Sequence, residues 1–238
     1  MIVDIHSHIL PGVDDGSKDL TDSILMAELA VEGGTDTIVA TAHSHVPWSN
    51  PENHIVDVLS AYRSVSSELV KRSIPLAILP GMEIWCGKDL KEGIQIGYFL
   101  GLNGTNNYLI EFDFDASAQD CRSWIRTVLE LGKRPVIAHP ERYTCVQDDI
   151  TAARRWVEAG CLLQINKGSP FGSYGRRAAQ AARDLLDKRL VYCVGSDAHS
   201  PYRRTPYMGE IRELLRQEYS SRMAVKLLDE NPREILGI

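Results

Sequence analysis

The stretch that decides the fold is Ile2-Val3-Asp4-Ile5-His6-Ser7-His8, near the start of the chain. Apolar residues around one Asp predict a short buried strand, and two histidines stand at its end. Because successive side chains of a strand point to opposite faces, His6 and His8 face the same way and are placed to hold one metal ion. Paired histidines near a terminus are also common in solvated chain ends, so this interpretation needs support from the rest of the sequence.

Six further apolar segments follow, separated by helical patterns and turns; they are residues 37–41, 76–79, 108–111, 135–138, 161–165 and 190–194. Short apolar strands that alternate with helices favour parallel pairing with both faces of the sheet covered. A parallel barrel brings every strand exit to one rim, whereas an open doubly wound sheet spreads the exits along an edge. Polar residues gather at these exits, which favours the barrel. We therefore predict an α/β fold, a distorted (β/α)7 TIM-like barrel, as a single domain over residues 1–238.

The helices are predicted from apolar spacing and capping residues. Ser17 is expected to cap the first helix, and Gly33-Gly34 to end it. Further helices are expected near residues 55–71, 118–131 and 150–159, with a Gly-rich excursion or a poorly formed helix over residues 88–104. His54 is expected to face solvent. The last helix is expected to begin at Asn231-Pro232, with Asn as its cap.

Composition narrows the class of protein. A net charge of −6 argues against nucleic acid as the main partner. The five cysteines are odd in number and scattered, so neither a disulfide framework nor a thiolate zinc site is indicated. No apolar run is long enough to span a bilayer and Met1 leads directly into a strand. We expect a cytoplasmic protein without membrane insertion.

Imidazole and carboxylate groups recur where the predicted strands end. These candidate ligands are His6, His8, Asp14, His43, Glu83, Glu111, His139, Asp197 and His199. Any one of them alone would be an ordinary loop residue, but nine at equivalent positions are hard to explain that way. Nine also exceed what one ion requires, because zinc takes about four ligands. Two or three ions bridged by carboxylates would use the set, and mixed nitrogen and oxygen ligation without sulfur suits manganese, iron or zinc.

At this point the sequence resembles a known family. The opening block, residues 4–16, is similar to that of the polymerase and histidinol phosphatase (PHP) superfamily and, more narrowly, of the bacterial capsule-associated protein-tyrosine phosphatases of CpsB type. The resemblance covers essentially the whole chain in the right order. The other blocks that carry it are Gly81–Ile84, Leu109–Phe112, Val136–Tyr143, Gln164–Ser169 and Gly195–His199.

The resemblance implies a trinuclear centre, commonly of manganese. His6, His8, Glu83 and Asp197 would surround one ion, and Glu83, Glu111 and His139 a second. Asp14, His43 and His199 would hold the third. Arg142 and Arg204 are the expected phosphate-binding arginines and, with Asp14, the predicted catalytic residues. Arg204 fits the spacing to Pro206 and Met208 better than Arg203 does.

The sequence departs from the family pattern in two places. Residues 41–45 read Thr-Ala-His-Ser-His, where the family has two adjacent histidines, so the role of His45 stays open. Lys167 stands where a small residue is expected, and either phosphate or solvent would suit it. Trp48, Trp85 and Tyr143 follow predicted strands and are candidates to flank an aromatic substrate, although local packing would explain them equally well.

The implied activity is hydrolysis of a phosphoric monoester by a metal-dependent protein-tyrosine phosphatase. Bound ions lower the pKa of water from 15.7 toward about 7, and phenolate is a tolerable leaving group because phenol has a pKa near 10. The implied substrate is the C-terminal tail of a bacterial tyrosine kinase that controls capsular or exopolysaccharide synthesis. Three alternatives remain: a histidinol-phosphatase-like or other PHP phosphoesterase, a metal amidohydrolase, and a non-catalytic binding module.

Overall fold

The computed structural model describes the whole chain, Met1–Ile238, as strands that alternate with helices. The strands are β1 (Ile2–Ser7), β2 (Thr35–Ala40), β3 (Ala77–Pro80), β4 (Glu83–Trp85), β5 (Asn107–Glu111), β6 (Arg134–Ala138), β7 (Leu162–Asn166) and β8 (Cys193–Gly195). The helices are α1 (Leu20–Glu32), α2 (Pro51–Lys71), α3 (Leu90–Ile96), α4 (Ala118–Glu130), α5 (Thr144–Asp148), α6 (Thr151–Glu158), α7 (Arg176–Asp187), α8 (Gly209–Leu214), α9 (Ser221–Val225) and α10 (Asn231–Leu236). No helix is both long and apolar enough to cross a membrane.

All strands pair in parallel, in two sheets of order β1-β2-β3 and β4-β5-β6-β7-β8. A parallel bridge from His43 to Glu83 links the sheets on one side, and a bridge from Ser7 to Ala198 links them on the other. Since only Gly81 and Met82 separate β3 from β4, the two strands form one interrupted side of the barrel. The predicted distorted seven-stranded barrel is therefore confirmed, and the interruption between β3 and β4 is new.

Two apolar clusters hold the fold together. The smaller one comprises eleven buried residues drawn from β1, β2, the turn at Leu102, β5, β6, β7, β8 and the chain end, and it fills the barrel interior. Ile235 and Leu236 of α10 belong to it, and they close the barrel at the end opposite the strand exits. A larger cluster of 50 residues lies between the strands and the surrounding helices. Burial on both strand faces explains why the strands read as nearly continuous apolar runs.

Several local predictions are wrong. The cap of α1 is Asp19, whose carboxylate accepts from the Asp22 amide, while the Ser17 hydroxyl donates to the Asp19 carbonyl at 2.9 Å. Asn231 is not a cap either; its side-chain amide donates to the carbonyl of Tyr192 at 2.7 Å. The final strand is shorter than predicted, because residues 190–192 precede it.

His54 does not face solvent. It lies in the first turn of α2, is buried, and its Nε2 is 2.7 Å from the carbonyl oxygen of His43. A carbonyl only accepts, so Nε2 donates. The apolar spacing of α2 could not reveal this contact, which fixes the backbone of a predicted metal ligand.

Candidate metal centre

Four buried side chains form the middle of the polar cluster at the strand exits: His6 and His8 from β1 and its exit, Glu83 from β4, and Asp197 after β8. Glu83 Oε2 lies 3.2 Å from the Nε2 atom of each histidine. Asp197 Oδ1 lies 3.5 Å from the same two nitrogens. These four side chains are the ones predicted to surround the first ion, and their nitrogen and oxygen atoms face one another.

Hydrogen bonds fix how the two imidazoles are oriented. His6 Nδ1 lies 2.7 Å from Gln164 Oε1, and His8 Nδ1 lies 2.7 Å from Asp14 Oδ2. Both oxygens are acceptors, so both histidines donate from Nδ1 and present an Nε2 lone pair to the cluster. The Gln164 amide is itself oriented, because its nitrogen donates to the carbonyl of Ile165 and to Asn166 Oδ1.

A second group of ligand atoms surrounds the carboxylates of Glu83 and Glu111. His43 Nδ1 lies 3.2 Å from Glu83 Oε2 and 3.1 Å from Glu111 Oε1. His139 Nε2 lies 2.9 Å from Glu83 Oε1 and 3.8 Å from Glu111 Oε2. Glu83 thus stands between the two groups, as expected for a carboxylate that the family resemblance assigns to both ions.

The third group differs from the prediction. Asp15, and not Asp14, lies beside the predicted ligands: Asp15 Oδ1 is 3.5 Å from His43 Nε2 and 3.4 Å from His199 Nε2. Asp14 is buried behind His8, and its carboxylate also accepts from the backbone amides of His43 and Gly16. A Cβ on Gly16 would lie 2.3 Å from the carbonyl oxygen of His8, so glycine is required for this close turn. Because of this turn, Asp14 lies behind His8, whereas Asp15 lies beside His43 and His199.

The electrostatics of the cluster fit a bound cation. Burial alone would raise the pKa of Glu83, but His6 and His43 hold it well below its usual range. Burial would likewise raise the pKa of Asp197, but His6 holds it well below its usual range. Conversely, burial would lower the pKa of His43, but Glu83 raises it to about 9. Glu83 Oε2 is buried without a hydrogen-bond partner. Two buried carboxylates, Glu83 beside imidazoles only and Asp197 beside imidazoles and an arginine, are what a site for positive metal ions requires.

Two arginines lie at the edge of the cluster. Asp197 Oδ2 is 2.5 Å from Arg204 Nη2 and 3.4 Å from Arg142 Nη1, and it also accepts from Asn166 Nδ2 at 2.5 Å. His139, Asp197 and Arg204 all have positive φ, of 35°, 50° and 50°. Non-glycine residues rarely adopt this conformation, and it clusters at functional sites.

The remaining candidates lie elsewhere. His45 Nε2 is 2.8 Å from Asp89 Oδ2, outside the three groups. Tyr143 is fully buried, donating to the carbonyl of Ala138 and accepting from the amide of Phe112, so it does not flank a substrate. The Trp85 indole donates to Asp113 at 3.0 Å, and Trp48 is 64% exposed. Burial lowers the pKa of Lys167.

Sequence reasoning missed six side chains of the site: Asp15, Phe114, Glu141, Gln164, Asn166 and Tyr174. Gln164 and Asn166 carried the clearest signal, since two polar side chains at alternate positions of an apolar strand share one face. Glu141 is fully buried, and its Oε1 accepts from the Asn166 amide at 2.8 Å and from the Ser169 hydroxyl at 2.6 Å. The two aromatic residues lie in loops, where no periodicity marks them.

A parallel barrel with imidazoles and carboxylates gathered at its strand exits defines the class of barrel metallohydrolases. Within this class, residues 2–237 match the family of capsular polysaccharide synthesis proteins CpsB/CapC. The chain belongs to this family, and the family resemblance recognised in the sequence is confirmed.

Relatives support this assignment over nearly the whole chain. The tyrosine-protein phosphatase YwqE of Bacillus subtilis strain 168 is 34% identical over 235 residues, which cover 99% of this chain and 91% of YwqE. The chain is also similar to a crystal structure from a study of YwqE and of CpsB from Streptococcus pneumoniae, described as unique metal-dependent tyrosine phosphatases. The comparison of this chain with that crystal structure gives a TM-score of 0.91 at 34% identity, and it covers 99% of this chain and 94% of the other.

A more distant likeness reaches the amidohydrolase barrels. The β-aspartyl dipeptidase of Fervidobacterium islandicum AW-1 gives a TM-score of 0.58 at 12% identity, over 100% of this chain and 74% of that one. This likeness shows the fold alone. The carboxylate between the candidate metal-ligand groups of this chain is Glu83, whereas an amidohydrolase typically bridges its metals with a carboxylated lysine.

Proposed function

We propose that this protein is a metal-dependent protein-tyrosine phosphatase. The observation that carries the proposal is the arrangement of two arginines beside three adjoining groups of metal-ligand atoms, in which Glu83 and His43 are each shared by two groups. A cluster of ligands alone would suit many hydrolases. Two guanidinium groups at its edge add recognition of a phosphoryl group, because the guanidinium fork matches phosphate oxygens.

The residues that would hold the ions follow from the three groups. His6, His8, Glu83 and Asp197 would hold the first ion, and Glu83, Glu111 and His139 the second, with His43 at its side. His43, His199 and Asp15 would hold the third. Imidazole and carboxylate ligands without sulfur suit manganese, with iron and zinc as the other choices. When bound, the ions supply water of lowered pKa and positive charge beside the phosphoryl group.

The chain's own residues would bind and orient the phosphoester. Arg142 and Arg204 would exchange their shared contact with Asp197 for the phosphoryl oxygens. Asn166 would keep Asp197 in place through its 2.5 Å hydrogen bond. Phenolate leaves as a weak base, since phenol has a pKa near 10, so a strong general acid is less necessary than for an alkyl phosphate.

The substrate we propose is a phosphotyrosyl protein of the capsule pathway, specifically the C-terminal tail of a bacterial tyrosine kinase. The chain belongs to a family of capsular polysaccharide synthesis proteins, and this membership favours a substrate from the capsule pathway. We further propose that residues 1–238 act as a single catalytic domain.

Steady-state hydrolysis of a phosphotyrosyl peptide by the manganese-loaded protein tests the proposal. Activity should disappear after chelation and return with Mn2+, and a phosphoserine peptide and histidinol phosphate should be poor substrates. His6→Ala should lose activity, whereas Arg203→Ala, an exposed neighbour of the site, serves as the matched control. Chelator-resistant hydrolysis, or full activity of His6→Ala, would refute the proposal.

A further inference from the structure

The guanidinium of Arg142 lies between two aromatic rings. Its Cζ atom is 4.2 Å from the ring centre of Phe114 and 4.6 Å from that of Tyr174. Tyr174 also lies 5.7 Å from Cζ of Arg204, so one ring serves both arginines. Phe114 is 44% exposed. A phenylalanine this exposed contributes little to a core, and its contact with Arg142 calls for an explanation.

The two rings come from separate loops, each tied to the segment that carries Arg142. Phe114 follows β5, and its carbonyl accepts from the Thr144 amide at 2.8 Å. Tyr174 lies between β7 and α7. The start of that loop is held by Glu141, which accepts from the Asn166 amide and the Ser169 hydroxyl. Residues on both sides of Arg142 therefore fix the loops that supply its aromatic neighbours.

This arrangement restricts Arg142 without using its hydrogen-bond donors. A guanidinium close to two rings is held by cation–π contacts that use none of its N–H groups, and of these groups only Nη1 lies near an acceptor, 3.4 Å from Asp197 Oδ2. An exposed arginine otherwise loses side-chain freedom each time it binds a ligand. Holding the group in place beforehand lowers that cost and improves affinity for the phosphoryl oxygens.

We propose that Phe114 and Tyr174 are positioning residues that hold Arg142, and in the case of Tyr174 also Arg204, in the orientation that binds the phosphoryl group. The proposal rests on the proposed phosphatase function. It assigns the two aromatic rings to phosphate recognition through the arginines. If the rings served only for packing, their removal would lower stability, and the size of its effect would not depend on whether Arg142 is present.

A double-mutant cycle separates these roles. We expect Phe114→Ala and Tyr174→Ala each to lower kcat/KM for a phosphotyrosyl peptide about 3- to 10-fold, mainly through KM. Inhibition by inorganic phosphate should weaken by a similar factor. Tyr174→Phe and Phe114→Tyr keep the rings and should retain near-normal values. In the Arg142→Ala background, Phe114→Ala should have little further effect, because its partner is already gone.

Equal losses with and without Arg142, or unchanged KM and phosphate inhibition in both alanine variants, would overturn the proposal. Thermal unfolding identifies a variant that does not fold. If Phe114→Ala does not fold, the cycle uses Tyr174→Ala, whose effect in the Arg142→Ala background should shrink but not vanish, because Tyr174 also lies 5.7 Å from Cζ of Arg204. An inactive wild-type protein with normal phosphate binding would instead refute the phosphatase function. The change in phosphate binding, measured by calorimetry, would still test the positioning role.

Discussion

The side chains of His6 and Gln164 are joined by a 2.7 Å hydrogen bond between Nδ1 and Oε1. Both are fully buried, and the glutamine amide is held by two further hydrogen bonds from its nitrogen. The bond selects the tautomer in which the Nε2 lone pair of His6 faces the candidate ligand atoms of Glu83 and Asp197. A partner of this kind raises the basicity of a ligating histidine and fixes its ring.

We therefore expect Gln164→Ala to weaken manganese binding about 10- to 100-fold. Gln164→Glu keeps the acceptor oxygen and should retain more of the affinity. Calorimetric titration of metal-free protein with Mn2+ measures both. Equal affinities of wild type and Gln164→Ala would mean that the bond has no role in metal binding.

The adjacent aspartates give a second prediction. Asp15 lies at the ligand group of His43 and His199, while Asp14 orients His8. Asp15→Ala should remove one ion per chain and leave the others bound, because it deletes a ligand of a single group. Asp14→Ala should weaken the first ion instead. Metal analysis after dialysis distinguishes them, and loss of the third ion from Asp14→Ala alone would reverse the assignment.

The sequence predicted the barrel, and placed the candidate metal ligands at one rim of it, for a physical reason. Parallel strands between helices bring their carboxyl ends together, so residues such as His139 and Asp197 could be placed at one rim without knowing any distance. Which aspartate points inward could not be predicted, since it depends on the turn at Gly16 against the His8 backbone.

Long-range contacts explain the other features of the fold and the site that the sequence did not predict. The interruption between β3 and β4 reads as an ordinary Pro-Gly loop until His43 is seen to pair with Glu83. Tyr174 lies in a loop with no periodic pattern, and its place beside Arg142 depends on the contacts of Glu141. Tyr143 follows Arg142, a predicted phosphate-binding residue, in the sequence, yet it is buried in the core.

Tyr143 supplies a prediction about stability. Its hydroxyl donates to the Ala138 carbonyl at 2.9 Å and accepts from the Phe112 amide at 3.1 Å, which ties the exits of β5 and β6 together. Tyr143→Phe leaves two buried backbone groups without this partner and should lower the free energy of unfolding by about 1–3 kcal/mol. Urea unfolding measures the loss. KM for the phosphopeptide should stay within about twofold of the wild-type value. A large rise in KM would mean that Tyr143 takes part in substrate binding.

Removal of metal should destabilise the fold. Without ions, the buried carboxylates of Glu83 and Asp197 are compensated only by imidazoles and arginines. Each independent site that binds only the folded state adds about 2.7 kcal/mol at a metal concentration 100 times its Kd. Thermal unfolding should therefore shift upward with added Mn2+ and downward with chelator. His6→Ala should show a smaller shift, and an identical shift in that variant would place the stabilising ions elsewhere.

Arg204 and Arg203 are adjacent in the chain, but we expect their replacement by alanine to affect activity very differently. Arg204 Nη2 contacts Asp197 Oδ2, and Arg204 has a positive φ of 50°, whereas the side chain of Arg203 forms no ion pair. If Arg204 binds the phosphoryl group as it becomes more negative in the transition state, Arg204→Ala should lower kcat/KM for a phosphotyrosyl peptide by about 10²-fold. Arg203→Ala removes the same charge one residue away and should change kcat/KM less than twofold. Arg204→Lys should recover only part of the loss, because an ammonium group lacks the planar fork that binds two phosphate oxygens. A loss shared equally by the two alanine variants would mean that the site depends on net positive charge rather than on the geometry of Arg204.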